Sequence, residues 1–479
     1  MTTNTDLANK VTTFTKFFYS IGDFGPSLTV TARTLFWLYF IVTIIGVDVG
    51  VAGIVFLVGR VWDAINDPLI GTWSDRFRSR WGRRRPFLLI GSIPFGIGFF
   101  LMFAPPPFEG NIAAAIYYSL IFIFYDTAYT FVSAPYTALT SELTEDYDER
   151  ASLASWRTAA SIFGAFISAA LFKLIAESVF VGWFANELAL AADSPTVLRY
   201  SYMLAGAIWG FFGALTPLFV VAFVREPERN YIQSADSEQT TSFNVVETLR
   251  EVFANRPFMI GAMISLFTFT AVDMISAVFV WFLVYYMQIP APFDSIVLAI
   301  VLGVAFLSMP LTIRLMHMWG KARMFIRMMT FWAVTMIIIS FLPPGAQTAT
   351  MVLAFFAGLG YGAGNAVPWA IIADVIEEDE WRTGKRQEGV YAGFLTLTRK
   401  ASAAIAVGIL VPQVLSWAGF VEGAAAAQPE SAQFALRMFM GAVPALLLVL
   451  SMIAAAYYPL NREAHGELRR KLAERRAGN

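Results

Sequence analysis

Residues 60–68 of the chain read RVWDAINDP, and they lie inside an apolar run that extends from Val47 to Trp73. A run of this length can cross a bilayer as one helix. Asp63 and Asp67 are four residues apart, so a helix points both carboxylates in the same direction. Two carboxylates at membrane depth cost about 2.5–3.5 kcal/mol each, and charged side chains there usually face the protein interior and serve a function.

The carboxylate pair predicts a site for a hard cation. Oxygen ligands suit an ion such as sodium, and the same pair can hold a proton instead. Asn66 lies near the same polar stripe. The alternative is an internal salt bridge between Arg60 and one acid that only fixes helix packing. One arginine cannot neutralise two carboxylates, which favours the cation site.

The composition is that of an all-α, polytopic membrane protein. The chain is 57% hydrophobic and only 14% charged, with a mean hydropathy of +0.60, whereas soluble domains carry about 25% charged residues. The absence of cysteine excludes disulfides and thiolate metal sites. The polar first fifteen residues show no signal-peptide pattern.

Apolar spans of membrane-crossing length occur six on each side of a polar stretch from Arg225 to Pro257. The twelve predicted spans are roughly residues 16–42, 47–73, 86–104, 112–138, 155–176, 200–224, 258–287, 294–317, 324–342, 348–374, 388–415 and 434–459.

This pattern predicts four regions: a six-helix half over residues 1–224, a cytoplasmic linker over 225–257, a second six-helix half over 258–460, and a basic cytoplasmic tail over 461–479. Helical spacing of apolar residues in the linker predicts an amphipathic helix at the membrane surface. The residues that carry this spacing are Phe243, Val246, Leu249 and Phe253.

Arginine and lysine are concentrated in alternate connections, above all in residues 75–85 and in the tail from Arg462. The positive-inside rule then places both termini and the linker in the cytoplasm. We expect a multi-pass protein of the inner membrane, monomeric, surrounded by lipid bilayer and without a nucleic-acid partner.

The connections repeat between the two halves. A basic connection follows the second and the eighth span, and an acidic cluster follows the fourth and the tenth. Six-plus-six spans with matching loops predict two parallel repeats that rock about a site near the bilayer midplane. We expect an inner gate from charged residues of these connections. The gate residues are Asp75, Arg76, Arg83, Arg84, Glu142 and Asp374.

Residues 62–71, WDAINDPLIG, resemble the glycoside–pentoside–hexuronide:cation symporter family of the major facilitator superfamily. Further matching segments are residues 19–25, 80–86, 134–139, 373–376 and 382–389. The resemblance implies a fold of twelve transmembrane helices and sodium- or proton-coupled uptake. It transfers the family's cation carboxylates to Asp63 and Asp67 and a supporting hydroxyl to Thr130, so that the predicted metal is sodium at this site.

The chain departs from the melibiose-type sugar symporters at three positions. Ser27 and Ser133 stand where those proteins have acids that bind sugar hydroxyls, and Thr137 stands at an aromatic platform. Two basic positions are retained, Arg157 and Lys400. Basic residues deep in opposite halves suit an anionic group held between them.

Two further acids are candidates for the substrate site. Asp126 shares one helical face with Thr130; it either meets a substrate or is a structural partner for Arg60 or Arg157. Asp273 resembles an acid of the sodium-dependent lysophosphatidylcholine symporters, a second branch of the family.

A zwitterionic headgroup requires a cation near its phosphate and an acid near its amine. Arg157 or Lys400, together with Asp273, supply both. The alternative for Asp273 is an interhelical pair with Lys400. Arg33 and Arg399 are also intramembrane charges, and the neighbours Arg399 and Lys400 cannot both face one cavity because they are about 100° apart on a helix.

Three functions follow from these observations. The favoured one is cation-coupled symport, by alternating access, of a lysophospholipid or similar amphiphile. The second is sodium- or proton-coupled symport of a glycoside, pentoside or hexuronide. The third is a membrane-embedded lipid enzyme, which is disfavoured because no nucleophile–base set, histidine–metal cluster or phosphate-binding glycine loop is evident. No cofactor is expected apart from the coupling ion.

Overall fold

A computed structural model describes residues 11–144, 146–224, 252–290, 293–384, 388–423, 427–460 and 462–477. Most of the predicted linker lies outside these ranges, including Phe243, Val246 and Leu249, so the predicted amphipathic helix stays a prediction.

All regular secondary structure in the described ranges is helical. The helices in chain order are α1 (Thr13–Ala32), α2 (Val49–Arg76), α3 (Arg85–Met102), α4 (Asn111–Leu143), α5 (Tyr147–Leu174), α6 (Pro195–Phe223), α7 (Arg256–Trp281), α8 (Phe293–Leu307), α9 (Met309–Trp319), α10 (Lys321–Ser340), α11 (Gln347–Thr383), α12 (Glu388–Ala403), α13 (Glu430–Met440), α14 (Ala442–Ala456) and α15 (Arg462–Ala477).

Several helices continue beyond these bounds in a wider winding. π-Helical turns extend α1 (Arg33–Trp37 and Phe40–Ile45), α5 (Ile175–Phe180), α7 (Phe282–Tyr286) and α12 (Ala404–Leu410). Short α-helical segments, Val181–Leu188 and Val411–Trp417, then prolong α5 and α12. π-Helical turns inside helices occur frequently at functional sites.

Ten of the described helical stretches are long and apolar enough to cross a membrane, and α8 with α9, which are bent by 47° at their junction, make an eleventh. The predicted count of twelve spans is therefore not confirmed. Residues 13–45, which contain the predicted first span (16–42), are helical but are not among these candidates.

Side chains at the helix starts account for several boundaries. Asp48 precedes α2 and its carboxylate accepts a hydrogen bond from the Val51 amide at 2.9 Å. Asn255 precedes α7 and accepts from the Phe258 amide at 3.0 Å. Such caps satisfy amide groups that have no partner within the helix.

The described residues form two compact units. The first contains those of Met1–Asn230, Pro290–Ala299 and Leu415–Pro429, and the second contains the rest. In the first unit α1 packs on α5 and α6, α3 packs on α4 and α6, and α2 packs on α4. In the second unit α7 packs on α11, α12 and α14, and α10 packs on α11 and α14.

Candidate functional site

The predicted cation stretch lies on α2 with its polar residues turned inward. The Asp63 and Asn66 side chains are buried, at 6% and 3% exposure, and Asp67 is half-buried. The opposite face of the helix carries the exposed apolar side chains Val61, Ile65 and Leu69. The carboxylates therefore face the protein rather than the lipid side of α2.

Thr130 of α4 joins the α2 residues into one hydrogen-bonded cluster. Its hydroxyl oxygen lies 2.8 Å from Oδ1 of Asp67 and accepts a hydrogen bond from Nδ2 of Asn66, also at 2.8 Å. The same hydroxyl is 3.0 Å from the main-chain oxygen of Asp126. The structure thus places Asn66, Asp67 and Thr130, all expected in the cation site, in mutual contact.

Two arginines approach the acids of this cluster. Nη1 of Arg60 is 3.7 Å from Oδ2 of Asp63, longer than the roughly 2.7–2.9 Å of a hydrogen-bonded ion pair. Nη1 of Arg33 is 3.0 Å from Oδ1 of Asp126. Asp63 also interacts electrostatically with both Arg33 and Asp126.

Several charged groups meet in this cluster. It contains three carboxylates (Asp63, Asp67 and Asp126) and two guanidinium groups (Arg33 and Arg60). No group of three or more His, Cys, Asp or Glu side chains among the described residues is arranged to hold a metal ion. A cation here would therefore combine carboxylate ligands with amide or hydroxyl oxygens, a set that suits a hard monovalent ion.

A second polar cluster in the first unit contains predicted substrate residues. Nε of Arg157, on α5, is 3.5 Å from Oδ2 of Asp23, on α1, and its Nη1 is 3.5 Å from the Thr140 hydroxyl. Ser27 Oγ is 2.5 Å from Ser161 Oγ. Arg157 therefore pairs with Asp23, and the partnership of Asp126 with Arg157 considered from the sequence is not formed.

The functional candidate that the sequence analysis missed is Asp23. It lies within the matching segment 19–25 and four residues before Ser27, so it shares the helical face of that serine. The four-residue spacing from Ser27 could have identified Asp23 as a candidate from the sequence. The remaining predicted residues of this region lie on α4: Ser133 is half-buried, and the exposed Thr137 donates its hydroxyl to the Ser133 carbonyl oxygen at 2.8 Å.

An aromatic pair closes one side of the Arg157 cluster. The rings of Tyr19 and Tyr136 stack with centroids 4.9 Å apart. Each tyrosine hydroxyl donates to the main-chain oxygen of the other residue, at 3.3 Å and 2.6 Å. The Arg157 guanidinium lies 6.0 Å from the centre of the Tyr136 ring.

In the second unit, Asp273 of α7 forms an ion pair with Arg399 of α12. The sequence analysis considered Lys400 as the partner of Asp273. In the structure the partner is the preceding residue, Arg399. The Arg399 guanidinium also lies 4.8 Å from the centre of the Phe269 ring. Lys400 is half-buried. Asp273 is buried at 3% exposure, so its carboxylate is largely shielded from solvent.

The predicted gate residues form ion pairs within each unit. In the first unit Arg83 and Arg84 contact Oε1 of Glu142 at 2.5 and 2.9 Å. In the second unit Lys321 contacts Oδ1 of Asp374 at 2.6 Å. Arg76 is exposed, and the side chain of Asp75 is outside the described part of the chain.

The tail helix α15 adds a residue that the sequence analysis did not connect with the gate. His465 Nε2 lies 3.2 Å from Oδ1 of Asp374 and 2.8 Å from Oε2 of Glu377. Leu468 and Leu472, which follow on the same helical face, are buried. The tail helix is therefore docked against the end of α11.

Comparisons with known proteins connect this geometry to transport. A family model described as "MFS/sugar transport protein" matches residues 18–462. An uncharacterized symporter of Synechocystis sp. is 30% identical, with 98% of each chain covered. Sodium-dependent lysophosphatidylcholine symporter 1-A of Danio rerio is 25% identical over 95% of this chain and 87% of its own length.

A putative sulfoquinovose importer of Salmonella typhimurium is also 25% identical, over 99% of this chain and 96% of its own length. Among solved structures, the inward-open xylose transporter XylE from E. coli superposes with a TM-score of 0.62 and 16% identity, covering 95% and 98% of the two chains. At this identity the likeness shows a shared fold alone.

Proposed function

Because the chain belongs to the MFS/sugar transport protein family, we propose that it is a sodium-coupled symporter that works by alternating access. The family and the all-α major facilitator fold expected from the sequence are confirmed. The protein is a membrane transporter, not an enzyme, since its relatives and structural neighbours are transporters.

The observation that carries the sodium proposal is the convergence of three carboxylates, Asp63, Asp67 and Asp126, in one cluster. Like charges repel one another strongly in a low-dielectric interior. One monovalent cation bound among these carboxylates would reduce that repulsion. Thr130 and Asn66 would then add neutral oxygen ligands, as oxygen-coordinated hard cations require.

Neutralisation explains why ion and substrate would move together. A carrier whose cation cluster is loaded exposes less net charge while it changes conformation, because an unbalanced carboxylate would otherwise cross hydrocarbon. One elementary charge moving through 100 mV contributes about 2.3 kcal/mol, which corresponds to roughly 50-fold accumulation of substrate at equilibrium. The membrane potential and the sodium gradient are the proposed driving forces.

For the substrate we propose a lysophospholipid or a similar zwitterionic or anionic amphiphile. Arg157 and Lys400 are the proposed ligands of its anionic group, and Asp273 is the proposed ligand of its amine. Asp23 and Arg399, the partners of two of these residues, hold the charges in place until a headgroup competes for them. The name of the Danio rerio relative supports this class.

A sugar is the second candidate, and a separate feature favours it. The cluster around Arg157 presents the Asp23 carboxylate and the hydroxyls of Ser27, Thr140 and Ser161. Fixed acceptors and hydroxyls of this kind bind sugar hydroxyl groups. The description of the family and the name of the Salmonella typhimurium relative support a glycoside or acidic sugar.

We further propose a location in the inner membrane with both termini in the cytoplasm. The apolar helices and an E. coli relative named as an inner membrane symporter support this location. The basic connection at residues 75–85 supports the orientation. A monomer is the proposed state.

Uptake into proteoliposomes tests the function and distinguishes the two substrates. The purified chain would be reconstituted and offered a labelled lysophosphatidylcholine, a neutral glycoside and a hexuronide, each with an inward sodium gradient, a proton gradient or neither. Sodium-driven uptake of the lysolipid alone supports the first proposal. Uptake of the sugars alone supports the second, and no ion-driven uptake of any compound contradicts both.

Substitution of the cation carboxylates gives the sharpest test of the site. We expect Asp63→Asn or Asp67→Asn to reduce sodium-dependent uptake at least about tenfold, because each removes a charge from the proposed ligand set. The matched control is Asp193→Asn, an exposed aspartate in a connection. Sodium-dependent uptake that survives both site substitutions, in protein that is still folded, would refute the site.

A further inference from the structure

A buried ion pair lies beside the cation carboxylates Asp63 and Asp67. Arg33, in a π-helical turn after α1, and Asp126 of α4 are exposed by only 4% and 1%. Their charged groups are 3.0 Å apart. The Arg33 guanidinium also lies against the rings of Phe122 and Tyr125, with centroid distances of 5.0 and 5.3 Å.

This pair is in contact with the proposed cation ligands rather than isolated among apolar side chains. Nδ2 of Asn66 donates to the Asp126 main-chain oxygen at 3.4 Å, and Thr130 lies 3.0 Å from that oxygen. Asp63 interacts electrostatically with both members of the pair. Oδ2 of Asp126 is buried and accepts no hydrogen bond from the described residues.

A buried carboxylate oxygen without a donor is costly unless a positive charge lies near it. Oδ1 of Asp126 is occupied by Arg33. Asp126 therefore contributes negative electrostatic potential to its surroundings. Asp63 is among the groups that interact electrostatically with it.

The pair also contributes to the charge of the whole cluster. Loss of the Asp126 carboxylate makes that charge one unit more positive, and loss of the Arg33 guanidinium makes it one unit more negative. The two members of one ion pair thus act in opposite directions on a bound cation.

We propose that Arg33 and Asp126 are positioning residues that set the net charge of the cation site and thereby its affinity for a monovalent cation. The inference rests on the proposed function, because it assumes that a cation binds at Asp63 and Asp67. Neither residue needs to touch the ion. Each acts through Asp63 and through the field at the cluster.

Single and double substitutions separate this role from simple packing. We expect Asp126→Asn to raise the half-saturating sodium concentration by about tenfold or more, and Arg33→Gln to lower it, because a unit charge at a few ångströms in a protein interior changes an ion's binding by at least that factor. The double variant Arg33→Gln/Asp126→Asn leaves the charge of the cluster unchanged, and its half-saturating sodium concentration should lie within about threefold of that of the unsubstituted protein.

The readout should be sodium-dependent thermal stabilisation of the purified protein, with the sodium dependence of uptake as a second measurement. Ligand binding raises the stability of the folded state without any need for substrate. All variants are titrated with sodium at the same pH. A structural role alone would lower stability in both single variants and would not shift the sodium constants in opposite directions.

Three outcomes decide the question. The proposal is supported if the half-saturating sodium concentration shifts in opposite directions in the two single variants and is close to the unsubstituted value in the double variant. Shifts in the same direction, or a double variant that loses sodium binding, overturn it. If one single variant does not fold, the direction of the shift in the other single variant decides, and the double variant, which leaves neither charge buried alone, is its reference.

A failure of the proposed function has a different signature. In that case the unsubstituted protein shows no stabilisation by sodium, and Asp63→Asn changes nothing. If sodium stabilises the protein and Asp63→Asn abolishes the effect, the cation site stands, and results from Arg33 and Asp126 bear on the charge inference alone.

Discussion

At the scale of single residues, Asp273 of α7 pairs with Arg399 of α12, and Lys400 is the next residue on that helix. Asp63, Asn66 and Asp67 were selected because residue type and a four-residue spacing are readable along a chain. The ion pair between Asp273 and Arg399 links residues 126 apart in sequence, and no local pattern distinguishes Arg399 from its neighbour Lys400. Partner choice depends on the rotation of two packed helices.

The difference between those two neighbours is testable. We expect Arg399→Ala to lower the free energy of unfolding by about 2 kcal/mol, because it leaves the buried Asp273 carboxylate without its partner. A fully buried pair would cost about 3–5 kcal/mol, and the value is smaller here because the Arg399 side chain is 33% exposed. Lys400→Ala is the matched control, and thermal unfolding in detergent is the measurement. An equal loss in both variants would speak against the assignment.

At the scale of elements, apolar runs predicted where helices lie but not how far they extend. α11 continues to Thr383, nine residues beyond the predicted end at 374, because a helix can leave the hydrocarbon and continue with polar residues. The π-helical turns in α1, α5, α7 and α12 were not predictable, since a change of winding leaves hydropathy unaltered.

Close packing of α3 on α6 gives a prediction at this scale. A Cβ atom on Gly96 would lie 2.5 Å from the Gly210 carbonyl oxygen, which is backbone and cannot move aside cheaply. We expect Gly96→Ala to destabilise the protein by about 1–3 kcal/mol through overpacking. Gly182→Ala is the control, because nothing lies within 4 Å of its added Cβ. Thermal unfolding that ranks the two variants alike would contradict this packing.

At the scale of the whole molecule, two groups of residues could not have been assigned from chain order. The described residues within 290–299 and 415–429 follow the first six helices in sequence, yet they belong to the first unit. Glu422 accepts a hydrogen bond from the Val49 amide at 3.2 Å, at the start of α2. Lys173 forms ion pairs with both Glu177 and Asp294. Contacts between distant segments are set by tertiary packing, which hydropathy does not encode.

The Lys173 cluster predicts an unequal response to substitution. Lys173→Met leaves the Glu177 and Asp294 carboxylates buried together without their cation, at a cost of about 3–5 kcal/mol. Asp294→Asn leaves Lys173 paired with Glu177 and should cost clearly less. Chemical unfolding of both variants measures the difference, and a larger loss for Asp294→Asn than for Lys173→Met would contradict this account of the cluster.

The docked tail helix has a practical consequence for handling the protein. His465 reaches both Asp374 and Glu377, and Asp374 is also the partner of Lys321. A fluorescent fusion or affinity tag attached after α15 would disturb the contacts of His465 with Asp374 and Glu377. Transport measured with such a fusion would then be that of a perturbed protein. Labels intended for transport measurements therefore belong ahead of Thr13, at the other end of the chain.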